Sequence, residues 1–413
     1  MWKNSIDINT VREIRLRNTV FFGVGAIAKI DFIIEELKNR GVENVLVVCG
    51  KGSYKSTGAW DHVTAAMAKH GINYELYNKV TPNPTADHVD EAVALGHKNC
   101  ATAVIAIGGG SPIDVGKSAA ILLKNPNNNA RDLYNFKFTP TEALPIIAIN
   151  LTHGTGSEAN RFAVVTIPEK KHKPAIAYDC IYPLYSIDDP GLTIGLPLEQ
   201  TCYVSIDAVN HAIEAATSKA VNVYAITLAT QTIDLVDTYL PLAMDDPEDL
   251  TARYFLMYAA MLAGVAFDNS LLHYTHALEH PLSAVKPELS HGLGLAMLLP
   301  AVIENIYPSC GNVLAHIFAP AIPGFTGDEK ETTKFARSVE KWLARMGADR
   351  KLGDDGFYET DVNMLTDLVF NTPSLSSLVG LAPTIGDYAS IANIYSRSMN
   401  RMPDDDEDKE SSK

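Results

Sequence analysis

Two runs, Asn44-Val-Leu-Val-Val-Cys49 and Ala101-Thr-Ala-Val-Ile-Ala-Ile107, are apolar at nearly every position rather than at alternate ones. A strand with one wet face alternates apolar and polar residues. A strand that is apolar throughout is buried on both faces, which implies a parallel sheet covered by helices. Leu144-Pro-Ile-Ile-Ala-Ile149 has the same character, and 72–76 reads as a further strand. Between them, 58–70 and 85–98 carry helical periodicity, the latter with Ala86, Val89, Ala92, Val93 and Gly96 on its apolar side. The alternation predicts a Rossmann-like, doubly wound α/β domain over residues 1–190.

From about residue 192 the texture changes. The stretches 202–219, 225–239, 250–268 and 331–346 are rich in Ala, Leu and Met at helical spacing, and strand-like runs are scarce. The expectation is an all-helical second domain over 191–402, joined through the turn-rich segment 186–191. The final stretch, 403–413, is acidic and is expected to be solvated and disordered. A chain of 413 residues accommodates this pair of domains.

The net charge of −15, without a concentrated basic face, argues against a nucleic-acid partner. The start Met-Trp-Lys-Asn-Ser-Ile-Asp has no apolar signal segment, and no run of 18 apolar residues suggests a membrane span. Five scattered cysteines without a C-x-x-C fit a reducing compartment, so a cytoplasmic location is expected.

The strand ending at Ile107 runs into Gly108-Gly-Gly-Ser-Pro-Ile-Asp-Val-Gly-Lys117. Three glycines let the backbone turn tightly and approach a ligand without Cβ interference. Ser111 is expected to cap the following helix, with Pro112 at its first position. The loop would present free N–H groups and the positive end of a helix dipole to a pyrophosphate. A second loop, Asn150-Leu-Thr-His-Gly-Thr-Gly-Ser-Glu158, follows the strand ending at Ile149 and would line the same crevice.

Two packets of potential metal ligands lie in the helical half. Asp207-Ala-Val-Asn-His211 stacks a carboxylate and an imidazole on one helix face; His276-Ala-Leu-Glu-His280 is followed by His291. One carboxylate and up to three imidazoles suit a divalent first-row metal such as iron or zinc. The carboxylate cancels one of two positive charges, so the ion stays able to polarise an oxygen. A lone Asp/His pair at this spacing also describes a capped core pair; two packets in one chain favour the ion. Neither packet has the H-E-x-x-H form of zinc proteases. His273, His276 and His280 share a helical face, and spacing alone does not choose among them.

Taken together these motifs resemble the iron-containing, or group III, alcohol dehydrogenases, from Phe22-Gly-Val-Gly25 to Pro300. The matches are Pro82-Asn-Pro-Thr85, Gly-Gly-Gly-Ser-x-x-Asp at 108–114, Gly154-Thr-Gly-Ser-Glu158, Asp188-Asp-Pro190, Asp207-Ala-x-x-His-Ala-x-Glu214, and His276 through Leu299-Pro300. The resemblance implies a dehydroquinate synthase-like fold: a Rossmann-like domain, a helical metal-binding domain, and a cleft holding nicotinamide and substrate. It places the metal on Asp207, His211, His276 and His291, and His280 beside the nicotinamide as the catalytic proton carrier. His273 is left to helix packing. It places Asn83, Gly109, Gly110, Ser111, Asp114, Thr152, Thr155 and Lys173 at the cofactor. Fe2+ is the implied metal, with Zn2+ or another divalent ion as substitutes, and a homodimer or larger homo-oligomer is implied. The segment 11–22 is a candidate for pairing across subunits.

Three departures from the family pattern carry information. The segment from His276 to His291 is one residue longer than usual. Leu151-Thr-His153 replaces Thr-Thr-Ala, leaving His153 near the nicotinamide or substrate, facing solvent, or bonded to backbone. Gly50 stands where many members carry an aspartate for the adenosine ribose, with Lys51 and Ser53 beside it. Losing that carboxylate removes repulsion of a 2′-phosphate, and Gly50 and Ser53 would then contact the ribose end. NADP is therefore favoured over NAD, as in the butanol-dehydrogenase-like branch. The expected activity is hydride transfer between NAD(P)H and a small aldehyde or primary alcohol. The alternatives are a glycerol- or diol-type polyol dehydrogenase and a dehydroquinate synthase-like lyase.

Overall fold

The computed structural model describes residues 13–403. The acidic stretch after Pro403 and the beginning of the 11–22 segment lie outside the described residues. The strands are β1 (Thr19–Phe22), β2 (Asn44–Gly50), β3 (Asn73–Val80), β4 (Ala103–Gly108), β5 (Ile146–Asn150), β6 (Phe162–Val164), β7 (Ala175–Ala177) and β8 (Tyr185–Asp188). The helices between them are α1 (Ile30–Asn39), α2 (Ser53–Ser56), α3 (Ala59–His70), α4 (Ala86–Lys98), α5 (Gly110–Lys124) and α6 (Ala130–Tyr134). Among the described residues, six strands form one sheet in the order β1-β8-β5-β4-β2-β3, and every pairing in it is parallel. β6 and β7 form a separate antiparallel hairpin.

The apolar runs behave as their composition predicts. Val45, Val47, Cys49, Ala103, Ile105, Ile107, Ile147 and Ile149 pack into one core below the sheet. Leu46, Val48, Val104 and Ile146 pack into another above it. Side chains alternate between faces, so both faces of one strand must be apolar when both are covered.

After Pro190 the described chain is helical: α7 (Leu198–Thr217), α8 (Val223–Asp245), α9 (Leu250–Ser270), α10 (Tyr274–Val285), α11 (His291–Ile317), α12 (Thr332–Arg345), α13 (Val362–Asn371), α14 (Leu375–Gly380) and α15 (Tyr388–Arg397). These helices share one large apolar core. α9 and α11 are long and apolar enough to cross a membrane, yet 61% and 78% of their apolar windows are buried within the protein. They are core helices of the helical body.

Three local expectations are corrected. The segment 186–191 is not wholly a turn: Ser186–Asp188 belongs to β8, which lies between β1 and β5. Its polar residues hid it. The Ser186 hydroxyl donates to the Glu158 carbonyl at 2.7 Å, and Asp188 Oδ1 accepts from Asn150 at 3.1 Å, while Asp188 Oδ2 has no hydrogen-bond partner among the described residues. The strand expected at 72–76 extends to Val80, which pairs with Gly50. The cap of α5 falls on Gly109 rather than Ser111, so the helix starts inside the glycine run. Pro112 then sits in the first turn, where its missing N–H leaves no intrahelical bond unmade.

Candidate metal and cofactor site

Asp207 and His211 sit one turn apart on α7, His276 and His280 one turn apart on α10, and His291 opens α11. The helices bring them together. His276 Nε2 lies 3.4 Å, His211 Nδ1 3.5 Å and His291 Nε2 3.8 Å from Asp207 Oδ1. These separations are too long for good hydrogen bonds. Asp207 Oδ1, His211 Nδ1 and His276 Nε2 are buried and, among the described residues, have no hydrogen-bond partner. An ion about 2.1 Å from tetrahedral ligands spaces neighbouring ligand atoms by about 3.4 Å. The donor set and its spacing therefore fit a divalent cation.

Asp207 Oδ1 is the common neighbour. The ligand atoms of Asp207, His276 and His291 lie within 4.8 Å of one another, and His211 joins them through Asp207. The His211 ring stacks on His276 with centroids 4.3 Å apart. Burial holds His211 neutral, down to about 3. Burial works against the Asp207 charge, but the surrounding imidazoles hold its carboxyl below the usual carboxylate range.

Two glutamates escaped assignment from sequence. The Nδ1 of His276 bonds the Glu214 carboxylate, and the Nδ1 of His291 bonds Glu279. Both carboxylates are buried. A carboxylate on the far nitrogen fixes a ligand's ring orientation and raises its basicity. For His276, burial disfavours the charged ring, but Glu214 and Asp207 together outweigh it and raise it to about 9. Glu214 stood in the recognised motif and Glu279 precedes His280, so both were visible as residues. Their partners were not.

His280 donates from Nδ1 to the Lys173 carbonyl at 2.7 Å, which leaves Nε2 as its acceptor nitrogen. Burial and the nearby Lys173 ammonium push it well below its ordinary value, so the ring is neutral. Its ring centroid is 5.8 Å from that of His291. His273 lies just outside α10 and caps it, accepting from the Tyr274 N–H at 2.7 Å, while its Nε2 meets the Thr217 hydroxyl.

The predicted cofactor residues fall into three groups. Gly50, Gly109 and Thr152 lie at or just beyond the carboxyl ends of β2, β4 and β5, where open sheets bind ligands. The loops touch: a Cβ on Gly109 would lie 2.8 Å from Thr152 Cγ2, and one on Gly110 would lie 2.6 Å from Thr155 Cγ2. Only glycine lets the two loops close together here. Ser111 follows in the first turn of α5, whose leading N–H groups are free for an anion. Ser53 opens the short α2, exposed between exposed Lys51 and Lys55.

Asp114, Asn83 and Lys173 are engaged with protein groups. Asp114 accepts from the Ser157 hydroxyl at 2.7 Å and the Val164 N–H at 2.9 Å, and burial raises its carboxyl to about 6. Asn83, at φ 52°, donates to the carbonyls of Pro287 and Leu289. The Lys173 ammonium bonds Asn83 Oδ1 and Ser283 Oγ. His153 is buried rather than solvent-facing and bonds the Thr201 carbonyl at 3.3 Å, the backbone-bonded alternative.

Residues 18–190 match the iron-containing alcohol dehydrogenase family, and residues 201–399 match the Fe-containing alcohol dehydrogenase family, C-terminal. The chain is 54% identical over 398 residues to the long-chain primary alcohol dehydrogenase AdhA of Thermoanaerobacter ethanolicus, covering 96% of this chain and 100% of that one. It is 32% identical to the 1,3-propanediol dehydrogenase of Citrobacter freundii, covering 92% of this chain and 96% of that one. The crystal structure of NADH-dependent butanol dehydrogenase A from Thermotoga maritima superposes with a TM-score of 0.86 at 28% identity, covering 94% of this chain and 99% of that one. The chain belongs to the iron-containing alcohol dehydrogenase family. It is an oxidoreductase, an alcohol dehydrogenase of the iron-containing kind.

Proposed function

We propose that the enzyme interconverts small primary alcohols and their aldehydes, passing hydride between the carbinol carbon and C4 of a nicotinamide in the cleft. The observation that carries this reading is the convergence of three buried, unpartnered atoms, Asp207 Oδ1, His211 Nδ1 and His276 Nε2, with His291 beside them. These four side chains would hold iron, which when bound supplies Lewis acidity toward the substrate oxygen. The Thermoanaerobacter relative is named for long-chain primary alcohols, which supports the primary-alcohol part of this reading and not the small chain length.

His280 is neutral, with Nδ1 committed to Lys173 and Nε2 free to accept a proton. It would take the alcohol's proton during oxidation and return one during reduction. Gly109, Gly110 and Ser111 would cradle the pyrophosphate against the start of α5. Thr152 and Thr155 would wall the same crevice.

NADP is the preferred cofactor in this reading. Residues 49–58 hold Lys51 and Lys55 and no acid, so a 2′-phosphate at Gly50 and Ser53 meets attraction and no repulsion. The free cysteines support a reducing, cytoplasmic setting. The edge strand β1, preceded by exposed Ile14 and Leu16, supports a homodimer formed along that edge.

The test is aldehyde-dependent oxidation of NADPH against NADH by apo-protein reconstituted with ferrous iron. Activity with a clear NADPH preference is expected. NADH preference would keep the enzyme class and reject the reading of Gly50. No oxidation of any primary aldehyde by metal-loaded protein would reject the substrate class, and turnover of diols alone would favour the polyol alternative.

A further inference from the structure

Lys173 is a cation carried by the connection between β6 and β7, and it is buried. Its ammonium is 2.8 Å from Ser283 Oγ on α10, 2.9 Å from Asn83 Oδ1 and 3.6 Å from Glu279 Oε2. That same Glu279 oxygen takes the Nδ1 of His291. The Lys173 carbonyl meanwhile accepts from His280. One residue of the α/β half thus grips both α10 and the carboxylate that orients a metal-ligand candidate on α11. Asn83 grips the intervening connection, through the carbonyls of Pro287 and Leu289.

We infer that Lys173 is a positioning residue for the metal centre: by holding Glu279 in place it sets the ring of His291, so the ligand set is complete only when the α/β half is docked on the helices. The inference rests on the ligand set proposed above. Its physical basis is the cost of a buried carboxylate. Glu279 is buried, and the Lys173 ammonium stands 3.6 Å from the same Oε2 that takes the Nδ1 of His291. With Lys173 removed, the buried Glu279 carboxylate loses the cation that anchors it from the α/β side, and the His291 ring loses its fixed outer partner.

The experiment measures zinc affinity of the full-length protein by competition with a chelating dye, without turnover. Four proteins are compared: wild type, Lys173→Met, Glu279→Gln and the double variant. The expected result is zinc binding about 10–100-fold weaker in Lys173→Met, the usual effect of losing an outer partner of a ligand. The double variant should be no weaker than Glu279→Gln alone, because both act through one chain of contacts. A Lys173→Met protein with zinc affinity within about twofold of wild type but weakened NADP(H) binding would overturn the inference and leave Lys173 a cofactor contact. A lowered melting temperature with unchanged zinc affinity would also overturn it, as a merely structural role. Should Lys173→Met not fold, Lys173→Gln carries the same comparison. Asp207→Asn is the control for the underlying reading. If it binds zinc as tightly as wild type, the ligand set is wrong; if it loses zinc while Lys173→Met keeps it, only the role of Lys173 fails.

Discussion

Glu214 and His276 stand on different helices, α7 and α10, yet the Glu214 carboxylate takes both the ring Nδ1 and, at 3.2 Å, the backbone N–H of His276. The ring cannot turn without giving up its bond to Glu214. Glu214→Gln, which keeps the size and loses the charge, should weaken metal binding by about 10–100-fold. Chelator competition checks this. Wild-type affinity in the variant would mean that packing alone orients His276.

Gly292 follows the candidate ligand His291, and a Cβ there would lie 1.9 Å from the Tyr203 carbonyl oxygen. Backbone cannot yield as a flexible side chain can. Gly292→Ala should push α11 off α7, destabilise the fold by about 1–3 kcal/mol or more, and lower metal content. Thermal unfolding and metal analysis of the purified variant decide it. A variant with unchanged melting and full metal would contradict the close approach.

The contact between Gly110 and Thr155 predicts a repairable lesion. Gly110→Ala should weaken nicotinamide-cofactor binding about tenfold, by roughly 1.4 kcal/mol, because the loops must part. Adding Thr155→Ala removes the obstructing methyl and should recover most of the loss if Thr155 acts as a wall and not a hydrogen-bond donor. Fluorescence titration with NADPH separates the two roles.

His153 is buried and neutral, lowered to about 3 by burial and by the neighbouring Arg253. A histidine lowered in the fold binds protons more readily when unfolded. Stability is therefore full above about pH 6.5 and falls as pH drops through the window from about 6.5 to 3, by up to about 1.4 kcal/mol per unit. His153→Gln can still bond the Thr201 carbonyl and does not titrate. Its melting temperature should decline less steeply than that of wild type over that window. Parallel slopes would assign the acid sensitivity to other groups.

Gly50→Asp should reverse cofactor preference. The new carboxylate would repel a 2′-phosphate and accept bonds from a 2′-hydroxyl. A shift of at least about tenfold toward NADH in kcat/KM is expected. An unchanged ratio would place the ribose elsewhere.

Much of this was legible in the chain because it depends on local chemistry. Runs such as 44–49 show double-sided burial, and the triple glycine marks a close approach. Asp207 and His211 are one turn apart whatever surrounds them. What stayed hidden was long-range. Nothing near Ser186 shows that its hydroxyl is satisfied by Glu158, so a central strand looked like a turn. Nothing near residue 173 shows that its ammonium ends at Glu279, 106 positions away. Spacing offered His273, His276 and His280 as equals; in three dimensions His276 faces Asp207, His280 faces Lys173, and His273 closes a helix end.

Helix α7 carries Asp207, His211 and Glu214, and its Tyr203 carbonyl forms the seat against which α11 rests. Each residue of helix turns its successors by about 100°. A single insertion or deletion between 203 and 214 would therefore swing at least one of these groups out of place, and no repacking of side chains would bring it back. The connection between α10 and α11, at 286–290, has no helical phase to keep, so a change of length there costs its hydrogen bonds from Asn83 rather than the direction of a ligand. Diversity in chain length should accordingly collect in the connections, while the length of α7 from Tyr203 to Glu214 works as a ruler that the enzyme cannot redraw.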